Sequence, residues 1–302
     1  VSNAVAIGVF DGVHLGHVEI LKRAIARARA QKGRCVVISF DPHPDVVLAK
    51  TFQAIPALTS IPEKRDLLAR LGVDDVEILP FTRELAALAP EEFVMQHVVR
   101  PHAPHALVVG ENFALGRARA GDVPRLSAIG ARLGFVVDAV PLLERDGGTV
   151  SSTRIRALLE AGRVAEAARL LGRRYAIGGL VVSGDAIGRT LGVPTANLRL
   201  NDEKVVPAHG IYVVRARIAG ESAWRPGAMS IGVRPTFGGR VRTLEVHLID
   251  WRGDLLGQGL EVEFVDWLRS EIQFENTEAL IHAMQEDIAE SRRRLEREAI
   301  QG

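Results

Sequence analysis

From its first residues to about residue 172, the chain alternates short apolar runs with longer stretches whose apolar side chains recur every three or four positions. Residues 5–10, 35–40, 76–79, 106–109 and 135–140 are runs of the kind that form strands buried on both faces. Residues 15–30, 62–71, 90–99 and 124–133 have helical spacing. Pro62, Pro90 and Pro124 stand near the first turn of three of them, where a missing N–H does no harm. Strand and helix in alternation predict a parallel sheet covered by helices, with ligands gathering beyond the carboxyl ends of its strands. Four loops then share one rim: 11–16, 41–44, 110–121 and 150–156.

Beyond residue 173 the pattern changes. Residues 175–182, 210–218, 228–233, 243–249 and 260–264 are β-branched or alternating runs set off by glycines, as in an antiparallel barrel or sandwich, and an amphipathic helix over 277–297 closes the chain. This shift divides the chain into two domains, 1–172 and 173–302, with no internal repeat. Arg292, Arg293 and Arg294 lie among Glu290, Glu296 and Glu298, which reads as a solvated helix face.

Composition narrows the functional classes. With 302 residues, 47% hydrophobic and 25% charged, the chain is an ordinary globular one, long enough for two cores. A net charge of +1 provides no basic field for nucleic acid. Runs such as 106–109 are far too short to span a bilayer, so a cytoplasmic protein without membrane partners is expected. Self-association is not readable from the sequence. Cys35, the one cysteine, heads an apolar run and is expected in the core, with no intrachain disulfide open to it.

The candidate chemistry begins at residues 8–17, Gly-Val-Phe-Asp-Gly-Val-His-Leu-Gly-His, where a strand hands over to a helix. Helix-start N–H groups are unpaired and the macrodipole is positive there. His14 and His17, with Gly12 and Gly16 permitting close backbone approach, add donors to a ready anion site. Neither the dinucleotide fingerprint nor the P-loop follows the first strand, which argues against an NAD site and an ordinary P-loop ATPase. Two further segments reach the same rim. In Val150-Ser151-Ser152-Thr153-Arg154-Ile155-Arg156 the hydroxyls suit a helix cap and the arginines can fork onto phosphate; taken alone, this would be a cap with a surface arginine. The other segment, 110–116, carries Asn112. In the second half, residues 184–197 read Gly-Asp-Ala-Ile-Gly-Arg-Thr-Leu-Gly-Val-Pro-Thr-Ala-Asn. Its glycines suit a loop with N–H groups facing phosphate, and its Thr195 hydroxyl and Asn197 carbonyl are hard oxygen ligands for Mg²⁺.

The combination of Gly-x-Phe-Asp-Gly-x-His-x-Gly-His with Ser-Ser-Thr-x-Ile-Arg resembles the nucleotidyltransferase superfamily, and Phe40-Asp41-Pro42-His43-Pro44 is similar to its FMN adenylyltransferase branch. From Tyr175 onward the chain resembles riboflavin kinase. The two halves in this order resemble the bifunctional bacterial riboflavin kinase and FAD synthetase. The resemblance implies an α/β Rossmann-like domain followed by an antiparallel β-barrel domain with a C-terminal helix. It implies conversion of riboflavin to FMN and of FMN to FAD, each step using ATP with Mg²⁺. In the first half it assigns Gly8, Phe10, Asp11, Gly12, His14, His17, Asn112, Ser152, Thr153 and Arg156 to ATP, with His14, His17 and Arg156 on its phosphates. In the second half it assigns Gly184, Gly188, Arg189, Gly192, Thr195 and Asn197 to ATP, Thr195 and Asn197 also to the metal. It makes Glu245 the catalytic base and puts Glu245 and Arg269 at the flavin.

Ser230, Leu256 and Leu115 stand where the family more often has Asn, Tyr and an aromatic residue, which bears on ring stacking more than on chemistry. A single active site beside a flavin-holding module, and a non-catalytic flavin carrier, remain open on the sequence. A carrier would have no use for His14, His17, Arg156, Thr195, Asn197 and Glu245 together.

Overall fold

A computed structural model describes residues 3–49, 55–184, 192–201, 203–236 and 239–301. By packing, the chain divides into two compact units, Val1–Ser152 and Thr153–Gly302. The pattern boundary at 172 marks where the β-only half begins, whereas the packing division falls earlier.

In the first unit, β1 (Asn3–Ile7), β2 (Cys35–Asp41), β3 (Asp75–Pro80), β4 (Pro104–Gly110) and β5 (Val136–Val140) form one parallel sheet in the order β3-β2-β1-β4-β5. The apolar runs predict all five. The first ends sooner than its run because Phe10 turns to φ +48° and takes the chain out of the ladder. Alternation along the strands sorts the sheet into two faces. Val5, Ile7, Val36, Ile38, Leu107 and Val109 enter one core with Phe93, Leu126 and Ile129. The opposite face is built from smaller residues, Ala4, Ala6, Cys35, Val37, Ala106 and Val108, and against it lie Leu21, Ala24 and Ala28 of α1 (Leu15–Ala30). Small side chains on both partners let α1 lie close to the sheet. Cys35 is fully buried there, and burial pushes its thiol up to about 12, so it stays a neutral core residue.

The helices α2 (Pro44–Leu48), α3 (Ile61–Arg70), α4 (Arg83–Ala87), α5 (Pro90–Val94) and α6 (Val123–Leu133) complete this unit. The stretch 90–99, read as one helix, is α5 followed by a π turn at Met95–Val99. Pro101 accounts for the wider turn, since its ring would meet the His97 carbonyl in a straight α-helix. Because β1 is central, the chain runs outward through β2 and β3 and then returns to β4. The loops after β1 and β4 therefore flank the point where strand order reverses.

The second unit begins with most of α7 (Ser152–Glu160), whose start the 150–156 segment suggests, and α8 (Val164–Leu171), a helix beyond the sequence reading that packs on the last barrel strand. The barrel is closed: β6 (Ala176–Val182), β7 (Ala196–Leu200), β8 (Gly210–Ile218), β9 (Arg225–Thr236), β10 (Gly239–Leu248) and β11 (Gly259–Arg269), in the order β6-β7-β10-β9-β8-β11 with β11 back on β6. Among the described residues its pairings are antiparallel. Strand β7 escaped the pattern because only Ala196 and Leu198 of its five residues turn inward. The closing helix α9 (Thr277–Gln301) carries the arginine cluster, which is not simply solvated. Arg292 pairs with Asp250 (Nη2–Oδ1 2.9 Å) and Arg294 with Asp266, tying the helix to the barrel. Among the described residues no helix is long and apolar enough to cross a membrane.

Trp267 is wedged beside Gly162, where a Cβ would come within 2.3 Å of the indole and φ is already +76°. Gly220 has φ +86° with nothing within 4 Å of a Cβ. Gly220→Ala is therefore expected to cost about 1 kcal/mol through backbone strain alone. Gly162→Ala should cost about 1–3 kcal/mol more, from overpacking. Urea unfolding of the two variants followed by tryptophan fluorescence checks the difference.

Candidate active sites

The turn between β1 and α1 is built from an unusual backbone. Phe10 (φ +48°), Gly12 (φ +83°) and Val13 (φ +41°) all lie in the left-handed region, which costs the two non-glycine residues about 1–2 kcal/mol each. Two sets of hydrogen bonds hold it. The Asp11 carboxylate, 4% exposed, accepts from Leu58 N–H (3.0 Å), Thr59 N–H (3.1 Å) and Thr59 Oγ1 (3.3 Å). Thr59 Oγ1 in turn accepts from Gly12 N–H (3.0 Å), and Ser152 Oγ donates to the Asp11 carbonyl (2.8 Å). Asp11 and Ser152 are thus structural clamps of this turn. On the other side Ser39 Oγ and Lys64 Nζ both donate to the Val9 carbonyl, each at 2.8 Å.

This shape delivers both imidazoles to the start of α1. His14 is the N-cap; its Nδ1 accepts from His17 N–H at 3.3 Å, and the two rings stack with centroids 3.6 Å apart. Phe10 meets His17 edge-on at 5.2 Å. Gly16 packs tightly here, since a Cβ would lie 3.2 Å from the His14 ring. Gly8 is similarly close, its Cβ position 3.2 Å from the Phe10 ring. The first turn of α1 itself carries no acidic residue. Across the switch point Asn112 follows β4, its Oδ1 3.3 Å from a Cβ placed on Gly110, and its carbonyl accepts from Arg119. Thr153 and Arg156 fall in the second unit, on the helix that Ser152 begins.

In the barrel, residues far apart in sequence converge. Thr195 Oγ1 donates to Glu245 Oε2 at 3.1 Å, and Asn197 sits opposite Glu245 in the β7–β10 ladder. Gly184 lies so near the Asn197 amide that a Cβ would come within 2.1 Å of it. The His247 ring bonds the Pro194 carbonyl through Nδ1 at 2.8 Å; since a carbonyl only accepts, Nδ1 carries the hydrogen. Gly184, Thr195 and Asn197 open on a cleft of about 580 Å³ that Trp251, Arg252 and Leu256 also line. Gly192 has φ +80°, with open space where a Cβ would be. Gly188 and Arg189 lie outside the described residues. Ser230 pairs with Glu245 on its other side, in the β9–β10 ladder.

Arg269 is committed within its own unit. Its guanidinium makes a two-pronged pair with Asp287 of α9 (2.9 and 2.6 Å), donates to the Ser270 carbonyl (3.0 Å) and lies over the Phe274 ring. It anchors α9 to the end of β11.

Sequence reasoning missed Lys64, Thr59 and Ser39 at the first site and His247, Trp251 and Arg252 at the second. A signal for Lys64 was present: with Ile61 and Leu68 it shares one helix face, and a lysine on an apolar stripe is out of place.

A metal bound with a nucleotide's phosphates needs few ligands from the protein. Among the described residues no group of three or more His, Cys, Asp or Glu side chains is arranged to hold one alone. The hydroxyl of Thr195 and the amide of Asn197, next to the Glu245 carboxylate, form a hard-oxygen set that suits Mg²⁺.

Comparison with known proteins accounts for both halves. A family model for FAD synthetase matches residues 2–154, and one for riboflavin kinase matches residues 171–295. A bifunctional riboflavin kinase/FMN adenylyltransferase of Listeria monocytogenes is 35% identical over 97% of this chain and 92% of its own length. Its counterpart from Pseudomonas fluorescens is 40% identical over 95% and 91%, and that of Escherichia coli K12 38% over 91% and 87%. A solved structure described as a macrolide-efflux protein from Streptococcus pneumoniae superposes with a TM-score of 0.89 at 31% identity, covering 96% of this chain and 94% of that one. With a FAD synthetase half, a riboflavin kinase half and full-length relatives that combine them, the chain belongs to the bifunctional riboflavin kinase/FMN adenylyltransferase family.

Proposed function

We infer that this chain phosphorylates riboflavin to FMN in its barrel unit and transfers AMP from ATP to FMN in its α/β unit, releasing pyrophosphate. The observation that carries the reading is the meeting of Thr195 and Glu245, fifty positions apart in sequence, at 3.1 Å beside Asn197. A barrel built only to hold flavin would have no need for a carboxylate, a hydroxyl and an amide assembled at one point.

In the kinase reaction the ribityl 5′-hydroxyl attacks the γ-phosphorus of ATP, its O–P bond forms as the bond to ADP breaks, and Glu245 takes the proton. The hydrogen bond from Thr195 fixes one carboxylate oxygen. Thr195 and Asn197 would hold a magnesium ion, which supplies charge neutralisation at the phosphates when bound. The described glycines of the loop, Gly184 and Gly192, would let backbone N–H groups approach the phosphates.

In adenylyl transfer an FMN phosphate oxygen attacks the α-phosphorus and pyrophosphate leaves, so the protein needs no nucleophile of its own. Its work is alignment and the stabilisation of negative charge. The stacked His14 and His17 at the start of α1 supply donors, as do the helix N–H groups. In this reading Asn112 faces the nucleotide. Asp11 and Ser152 act through the shape of the turn. Arg269 acts on the flavin indirectly, by holding α9 against the end of β11. Use of ATP in both reactions suits a cytoplasmic enzyme.

The two reactions can be separated. Glu245→Gln is expected to lower riboflavin phosphorylation by a factor on the order of 10²–10⁴ while FMN supplied directly is still converted to FAD. Unchanged kinase turnover, followed by chromatography of the flavins, would remove Glu245 from the mechanism. Replacing His14 and His17 together by alanine should cut FAD formation at least about 10²-fold and leave FMN formation untouched. Wild-type FAD synthesis by that double variant would overturn the assignment of the first site.

A further inference from the structure

We propose that Lys64 is a positioning residue for adenylyl transfer, its ammonium holding the Val9 carbonyl and the Ser39 hydroxyl so that the turn from β1 presents His14 and His17 in reacting geometry. The inference rests on the assignment of that helix start to the adenylyltransferase site.

Lys64 lies in α3, whose start is fixed by a capping box between Ser60 and Glu63. Its side chain runs inward and is 3% exposed. Nζ donates to the Val9 carbonyl at 2.8 Å and to Ser39 Oγ at 3.3 Å, and Ser39, fully buried, donates to the same carbonyl at 2.8 Å. Val9 is the last residue before the left-handed stretch at Phe10, Gly12 and Val13. Fixing its carbonyl fixes the plane of the peptide from which that stretch departs. The Asp11 carboxylate is held from the same short segment, by Leu58 and Thr59. Residues 58–64 thus grip the turn at two points, before and within its strained part.

A lysine is an expensive way to satisfy one carbonyl. Burial holds the Lys64 pKa below its usual value, with the charges of Asp11 and Asp41 acting the other way. Ser39 alone already gives Val9 a hydrogen-bond donor, so the backbone group would not be orphaned without Lys64. A methionine at 64 would fill the space with no charge to desolvate. What the ammonium adds is direction. It ties the end of β1 to β2 and α3 at one atom, and strained active-site turns persist only where their surroundings over-determine them.

The test is Lys64→Met in the full chain, assayed for FAD formation from FMN and for FMN formation from riboflavin, with urea unfolding alongside. Expected is a fall in the kcat of adenylyl transfer on the order of 30-fold, with KM for ATP changed less than about threefold, as for a small misplacement of reacting groups. Kinase turnover should be unchanged, and resistance to urea equal to wild type or greater. A lysine needed only for packing would give the reverse: lost stability with wild-type kcat per folded molecule, and that result overturns the proposal. Ser39→Ala, which removes the shared partner without adding bulk, should lower the same kcat roughly three- to tenfold. Should Lys64→Met fail to fold, this variant decides, and full activity in it overturns the proposal. Wild-type kcat in Lys64→Met beside a dead His14/His17 double variant removes Lys64 alone. An active histidine double variant removes the site assignment, and this inference with it.

Discussion

The Asp11 carboxylate is the hinge on which the first unit's chemistry turns. Left to itself, a chain with left-handed Phe10 and Val13 would relax, and the relaxed turn would point the start of α1 elsewhere. Leu58 and Thr59 donate to the buried carboxylate, and Thr59 passes the constraint on to the Gly12 N–H. The cost of the strained residues is thereby met by hydrogen bonds that water would otherwise contest. Because those donors come from the segment entering α3, the site depends on a helix that carries none of the family's motif residues.

The barrel solves a related problem with less strain. Ladder pairing sets Asn197 opposite Glu245, and closure of the sheet leaves little freedom to slip, since a shift of one residue would turn both side chains to the other face. Thr195, just before β7, then needs only one hydrogen bond to complete the group. The cleft beside it is partly apolar. Leu256, 60% exposed at its wall, offers a flexible aliphatic contact.

Much of this was legible in the sequence, and for physical reasons. Strands buried on both faces have to be apolar runs, so β1, β2 and β4 announce themselves. The start of α1 was readable because few arrangements other than an anion site call for two histidines three positions apart among glycines. What stayed hidden depends on partners distant in sequence. The hold of Leu58 and Thr59 on Asp11, from 47 and 48 positions away, leaves no mark in the local pattern. Nor does the pattern show that Arg269 pairs with Asp287, eighteen residues on. Strand β7 carries too few inward residues to register, and the barrel-binding arginines of α9 are indistinguishable in sequence from surface charge.

The alanines beneath α1 have a further implication. Ala4, Ala6 and Ala106 on the sheet and Ala24 and Ala28 on the helix leave no slack between the two layers. One additional methyl group there would lift the helix and carry both imidazoles with it. Tolerance to substitution in this half of the molecule is therefore poorly gauged by distance from the nucleotide. Some of its least forgiving positions are featureless interior alanines that never meet a substrate.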